Sequence, residues 1–241
     1  MENKIIVANM KMYMNIDDVK EYLNNFEDKL LNNVIMCPSN IYIPYFLEKN
    51  MIVGIQNVYY EDNGAYTGEV SVEQIKNIGV KYVIVGHSER RQWFSESDYD
   101  INKKLVKVLD NGLNVILCIG ETLEERNSLK TLDVLREQLE IDLNNISNKS
   151  VDSIIVAYEP RWAIGTGIVP SNNDIEEVID YIKSYMLDKY KNNIKVLYGG
   201  SVSDSNINIL NKISNVDGFM IGSACTKSNK MLSILNSCDN I

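Results

Sequence analysis

Eight short runs of β-branched and small apolar residues recur along the chain, and most are followed by a stretch with helical spacing. They run from Lys4 to Met10, Val34 to Cys37, Met51 to Asn57, Tyr82 to Gly86, Asn114 to Ile119, Ser153 to Glu159, Lys195 to Tyr198 and Gly218 to Ile221. Their apolar content is nearly continuous rather than alternating, which marks strands buried on both faces, as in a parallel sheet. The spacing between them predicts helices from Asp17 to Leu31 (Val19, Tyr22, Leu23, Phe26 and Leu30 on one stripe), around Tyr42 to Glu48, and from Ser71 to Ile78. Further helices are predicted from Asp98 to Leu109, as one long helix from Leu123 to about Leu143, from Ser171 to about Tyr190, and around Met231 to Leu235. Eight alternations within 241 residues select a closed barrel of parallel strands ringed by helices over an open doubly wound sheet. An open nucleotide-binding sheet would want Gly-x-Gly-x-x-Gly after its first strand, and Asn9-Met10-Lys11 is not such a turn. No linker, low-complexity block or charge run divides the chain, so residues 1–241 are expected to form a single α/β domain, a (β/α)8 barrel.

In such a barrel all the C-terminal strand tips meet at one mouth, where the chemistry sits. Asn9 and Lys11 come off the first tip, His87 off the fourth, Glu159 off the sixth, Ser201 off the seventh, and Gly222 and Ser223 off the eighth. The sixth is the most informative. Its apolar run ends in one carboxylate, Glu159; Pro160 stops the strand, and Trp162-Ala163-Ile164-Gly165-Thr166-Gly167 follows. One large anchor followed by small residues and glycines suits a loop that swings and brings backbone N–H groups close to a ligand. A solvated strand-end glutamate is the plainer reading of Glu159 taken alone.

His87 is the only histidine in the chain, and a lone histidine is more often structural than catalytic. Here it follows a buried strand, and Ser88-Glu89-Arg90-Arg91 reads as the first turn of a helix, whose N–H groups favour neutral imidazole. Lys11 is either a local cation at the mouth or a snorkelling surface lysine. Gly165, Ser201, Gly222 and Ser223 lie in short glycine- or serine-rich turns that can aim N–H donors at a phosphate. A base, a neutral imidazole, a cation and a phosphate cradle together fit proton abstraction beside the carbonyl of a small phosphorylated sugar. No metal-ligand spacing competes with this.

Composition narrows the partners. A net charge of −9 argues against a nucleic-acid footprint and an anionic membrane surface, so attraction for an anionic ligand has to be local. No apolar run approaches the roughly 18 residues of a membrane helix. Met1-Glu2-Asn3-Lys4 leads straight into a strand, so no signal peptide is expected. Cys37, Cys118, Cys225 and Cys238 lack CxxC spacing; the first three sit in or beside apolar runs as reduced core residues. These features fit a cytoplasmic enzyme.

Eight motifs, in order, resemble the triosephosphate isomerase family. They are Asn9-Met10-Lys11-Met12, Gln56-Asn57, Gly64-Ala65-Tyr66-Thr67-Gly68-Glu69, Gly86-His87-Ser88-Glu89-Arg90-Arg91, Cys118-Ile119-Gly120-Glu121, Tyr158-Glu159-Pro160, Trp162-Ala163-Ile164-Gly165-Thr166-Gly167 and Tyr198-Gly199-Gly200-Ser201. The resemblance runs along essentially the whole chain. It implies a single-domain TIM barrel that interconverts D-glyceraldehyde 3-phosphate and dihydroxyacetone phosphate through an enediolate, in glycolysis and gluconeogenesis, with no cofactor and no metal. Carried over, it makes Glu159 the base, His87 the group that polarises the carbonyl, and Lys11 and Asn9 the stabilisers of the developing charge. Asn9, Lys11, Gly165, Ser201, Gly222 and Ser223 then bind substrate, Trp162 to Val169 form the lid, and Glu89 and Arg91 support the site. The alternatives are an isomerase of a related sugar phosphate, such as a tetrulose phosphate, and a catalytically silent barrel kept as a binding protein. Three departures stand out: Met10 replaces the family's tryptophan, Tyr13 its usual asparagine, and Gly222-Ser223 its Gly-Gly. They bear on phosphate affinity and substrate preference.

The loop from Val58 to Glu69 needs either its own packing or a partner to order it, because twelve irregular residues are long for a compact barrel. It is either a surface hairpin or a contact. The resemblance implies the second: a homodimer in which Thr67 of one chain reaches Asn9, Lys11 and Glu89 of the other.

Overall fold

In the computed structural model, which describes residues 3–27 and 29–240, eight parallel strands close on themselves in sequence order. They are β1 (Ile5–Asn9), β2 (Val34–Cys37), β3 (Ile52–Ile55), β4 (Tyr82–Val85), β5 (Asn114–Ile119), β6 (Ile154–Tyr158), β7 (Lys195–Tyr198) and β8 (Gly218–Ile221). Closure is made by β1 against β8, with Ala8 opposite Ile221. The helices are α1 (Ile16–Asn24), α2 (Ile43–Glu48), α3 (Val72–Ile78), α4 (Ser88–Trp93), α5 (Asp98–Asp110), α6 (Leu123–Asn127), α7 (Thr131–Asp142), α8 (Asn172–Tyr190), α9 (Ile207–Leu210) and α10 (Ser228–Ser237).

The continuous apolar runs are explained by two cores. Val7, Ile35, Ile84, Ile116, Ile155, Leu197 and Met220 point into the barrel together with Cys37, Cys118 and Ala157. Their neighbours, such as Ile6, Ala8, Met36 and Val196, pack outward against the helices. With a side-chain period of two and both faces buried, each strand has to be apolar along most of its length. On β3 the inward position is Gly54, where a Cβ would lie 2.6 Å from Cys37 Sγ. All four cysteines are buried and free.

Two helix predictions need correction. The helix from Asp17 to Leu31 ends at Asn24, and Leu30 is 78% exposed rather than on the buried stripe. Asn24-Asn25 are poor helix formers, and Asn25 Nδ2 turns back to donate to the Glu21 carbonyl. The prediction also crosses Asp28, which lies outside the described residues, as do residues 1, 2 and 241 of the expected domain. The long helix from Leu123 is two helices, broken where Leu129 adopts φ of 57°. The four-residue α9 was not foreseen. Ser71 and Ser171 are N-caps: each side-chain oxygen accepts the N–H three residues on, from Gln74 and Asp174.

Candidate active site

At the tip of β1, Lys11 holds a left-handed backbone (φ 51°), which costs a non-glycine residue about 1 kcal/mol or more. Three side chains enforce it. Asn9 Oδ1 accepts the Lys11 N–H at 3.2 Å, while the Lys11 carbonyl accepts from Ser39 Oγ at 2.8 Å and from Gln56 Nε2 at 2.9 Å. The turn thus bound sends the ammonium back over the mouth, where Glu89 Oε1 holds Nζ at 2.6 Å. The snorkelling reading of Lys11 fails: its side chain is only 15% exposed.

His87 caps α4. Its Nδ1 accepts the Glu89 N–H at 3.2 Å, so the other nitrogen, Nε2, carries the proton of a neutral ring. That Nε2 lies 3.2 Å from Glu159 Oε1. The second oxygen of Glu159 accepts the Ser88 N–H at 3.0 Å. Helix α4 therefore does two things: its first N–H groups fix the imidazole tautomer and park the carboxylate. Both side chains are nearly buried, so each contact acts in a poorly screened setting.

Gly120 makes room for this. A Cβ there would fall 1.8 Å from the Glu159 carbonyl oxygen, so no other residue fits beneath the tip of β6. Cys118 lies beside Glu159 in the barrel; burial first, then the neighbouring carboxylate, pushes its thiol far up, leaving it protonated and inert.

The loop after β6 starts at a short turn, Arg161–Ala163. Trp162 Nε1 donates to Glu121 Oε1 at 2.8 Å, and Tyr158 Oη reaches the same oxygen at 3.2 Å. Burial raises the Glu121 carboxyl above its ordinary value of 4.5, against the pull of these hydrogen bonds and of Arg126. Across the mouth, Ser201 Oγ donates to the Ala163 carbonyl at 2.6 Å and accepts the Gly167 N–H at 3.3 Å. Gly165 and Gly167 have φ of 68° and 76°, backbone that glycine adopts freely.

All eight residues singled out from the sequence line one cavity of about 670 Å3: Asn9, Lys11, His87, Glu159, Gly165, Ser201, Gly222 and Ser223. Ser223 takes its place without backbone strain, since its φ is not positive. Sequence reasoning missed Asn206, which orients the Ser201 turn through its carbonyl at 2.8 Å, and Lys227 and Lys230, which add cations to the cavity wall. Both lysines follow the Gly222-Ser223 tip, which was the available signal. Arg91 does support the site, but from below: it donates to the Gly86 carbonyl at 2.8 Å and pairs with Asp98 and Asp142. Among the described residues no group of three or more His, Cys, Asp or Glu is arranged to hold a metal ion.

A (β/α)8 barrel that sets a parked carboxylate, a neutral imidazole and a strained lysine around one cavity at its mouth is an enzyme for proton transfer on small anions. The chain belongs to the triosephosphate isomerase family, whose profile it matches over residues 4–238. It is 40% identical to triosephosphate isomerase of Alkaliphilus metalliredigens (strain QYMF), over 98% of this chain and all of the relative. Against the enzyme of Mycoplasma capricolum subsp. capricolum the identity is 40%, over 98% of this chain and 99% of the relative. Against that of Francisella tularensis subsp. mediasiatica it is 38%, over 99% and 98%.

Proposed function

We propose that Glu159, His87, Lys11 and Asn9 carry out the isomerisation of D-glyceraldehyde 3-phosphate and dihydroxyacetone phosphate. The observation that carries this is the shared Glu159–His87 contact above a mouth that also holds Lys11. As the ionised base, Glu159 leaves the Ser88 N–H and takes a proton from the carbon next to the carbonyl. Its departure frees the Nε2–H of His87 to donate to the carbonyl oxygen, which gains negative charge as the enediolate forms. Lys11 and Asn9 stabilise that charge in a site where few solvent dipoles compete. His87 then passes the hydroxyl proton from one enediolate oxygen to the other, and Glu159 returns the carbon-derived proton to the neighbouring carbon. Gly165, Ser201, Gly222 and Ser223 hold the phosphate through N–H and hydroxyl donors, locally offsetting a protein field that repels anions.

Residues 1–241 act as one domain in this reading, in the cytoplasm, within glycolysis and gluconeogenesis. Among the described residues no helix is long and apolar enough to cross a membrane. The working unit is a homodimer. Behind Lys11 a second cavity of about 520 Å3 shares Asn9, Lys11 and His87 with the first. Its rim carries Met12, Trp93 and Phe94, which are 92%, 71% and 65% exposed, an apolar surface a monomer rarely leaves bare. In the loop from Val58 to Glu69, Tyr59 stacks on Tyr60 and meets the Tyr66 ring at a tilt, while residues 61–69 are exposed. Inserted into the second cavity of a partner, Thr67 would approach Asn9, Lys11 and Glu89.

A proton NMR assay on the purified chain with D-glyceraldehyde 3-phosphate tests the reading. Turnover to the ketose without added cofactor is expected; no turnover at micromolar enzyme overturns it.

A further inference from the structure

The lid leaves the barrel at Trp162 and re-enters the fold at Ser171, the N-cap of α8. Both ends meet one side chain that belongs to neither. The Arg126 guanidinium, on α6, lies 4.5 Å from the centre of the Trp162 ring and 3.3 Å from Asp174 Oδ2. Asp174 is no bystander at the second hinge: Oδ2 accepts from Ser171 Oγ at 2.7 Å and from the Ser171 N–H at 3.2 Å. The indole is therefore held at its edge by buried Glu121 and on its face by Arg126, and Arg126 is in turn tied to the far hinge.

We propose that Arg126 is a positioning residue that couples the two hinges of the lid, so that Trp162 and the Ser171 end of the lid move together. The inference rests on the isomerase reading above. Arginine suits the task for a physical reason: its planar guanidinium stacks on an aromatic face while its edge N–H groups still pair with a carboxylate. Lysine can do only one of these well. The site on α6 is held still, because Thr122 caps that helix with Glu125 as reciprocal partner, and the chain turns sharply after it at Leu129. Arg126 and Asp174 both line a cleft of about 480 Å3, which leaves the guanidinium room to travel with the indole. A lid whose two ends closed independently would order its backbone donors less often over the phosphate, and the closed, water-excluding state would be populated less.

The test compares the parent with Arg126→Met, which keeps the aliphatic length and removes the planar cation. Asp174→Asn removes the charge but keeps an oxygen for the Ser171 cap, and the double variant completes the cycle. Arg126→Met should lower kcat/KM by about tenfold, weaken a phosphate-bearing enediolate mimic by a similar factor, and leave inorganic phosphate binding unchanged. Asp174→Asn should fall in the same direction by less, and the double variant should lose no more than Arg126→Met alone, as expected of one coupled link. Arg126→Lys should recover only part of the loss. In a Trp93→Phe background, which leaves Trp162 as the sole indole, the mimic should protect Trp162 from acrylamide quenching in the parent and much less in Arg126→Met. Parental kcat/KM and parental protection in Arg126→Met, or losses that simply add in the double variant, would overturn the proposal. An inactive parent would overturn the isomerase reading instead, and Trp162 protection would then decide the Arg126 link alone.

Discussion

The two ends of the barrel both bury polar groups, but they spend them differently. At the bottom, Asn240 is fully buried and its Nδ2 donates to the carbonyls of Lys4 and Asn32, sealing the chain end against the first strand. Lys4 Nζ reaches the Val216 carbonyl, and Asp217 pairs with Lys183 at 2.7 Å while accepting the Val196 N–H at 2.8 Å. Most of these contacts end on backbone just before the strands begin. At the mouth, Glu159, His87, Lys11 and Glu89 terminate largely on one another, through single contacts that a substrate can replace. The bottom ties chain segments together; the mouth pairs charged groups through contacts that can be exchanged. Strain follows the same division, with Lys11 bent into a left-handed turn at the mouth by three separate hydrogen bonds.

Substitutions at the two ends should separate activity from stability. The largest effect is expected at the mouth: Glu159→Gln should cut kcat by about a thousandfold or more while the enediolate mimic still binds. Near-parental turnover in kinetic assays would remove Glu159 as the base. His87→Gln should lower kcat by about a hundredfold with little change in KM, because its hydrogen bond strengthens as the enediolate forms. Equal weakening of substrate and mimic, measured by inhibition, would make it a ground-state contact. Trimming the loop between Tyr60 and Glu69 should yield a monomer by sedimentation, with activity down by about tenfold or more as Lys11 loses its support; an unmodified chain that is monomeric and fully active would contradict the dimer.

At the bottom the pattern should invert. Asn240→Ala strands two carbonyls and should cost about 1–3 kcal/mol in denaturant unfolding, with kcat at the parental value. The smallest effect concerns Glu121. Burial raises its folded-state carboxyl above 4.5, so the folded protein binds the proton more tightly than the unfolded chain. That contribution is present below pH 4.5 and is lost as pH rises through the raised value. Glu121→Gln removes it, so the variant should gain stability relative to the parent over that interval, read from melting curves at successive pH values.

How far the sequence revealed all this depended on where each constraint acts. The strands were legible because burial on both faces leaves an unbroken apolar run, and the tips were legible because a polar residue ends it, as at Asn9, His87 and Glu159. The break at Leu129 was not, since Leu123-Glu124-Glu125-Arg126 are good helix formers and a leucine at positive φ leaves no sequence mark. The end of α1 at Asn24 was announced by two asparagines and overruled by the distant apolar Leu30. Glu121, Arg126 and Trp162 were each visible as residues but not as a cluster, because contacts between a β5 loop and a β6 loop exist only after the barrel closes. Asn206 was hidden for the same reason: it acts on Ser201 from across a loop that has no pattern of its own.

In the proposed reaction the mouth's carboxylate moves a proton to and from carbon. Dihydroxyacetone phosphate incubated with the enzyme in heavy water, and followed by proton NMR, reads that step directly. The account predicts that the parent exchanges one carbon-bound proton for deuterium and that Glu159→Gln, folded and still binding the enediolate mimic, exchanges none above the uncatalysed rate. Deuterium entering at the parental rate in that variant would contradict it.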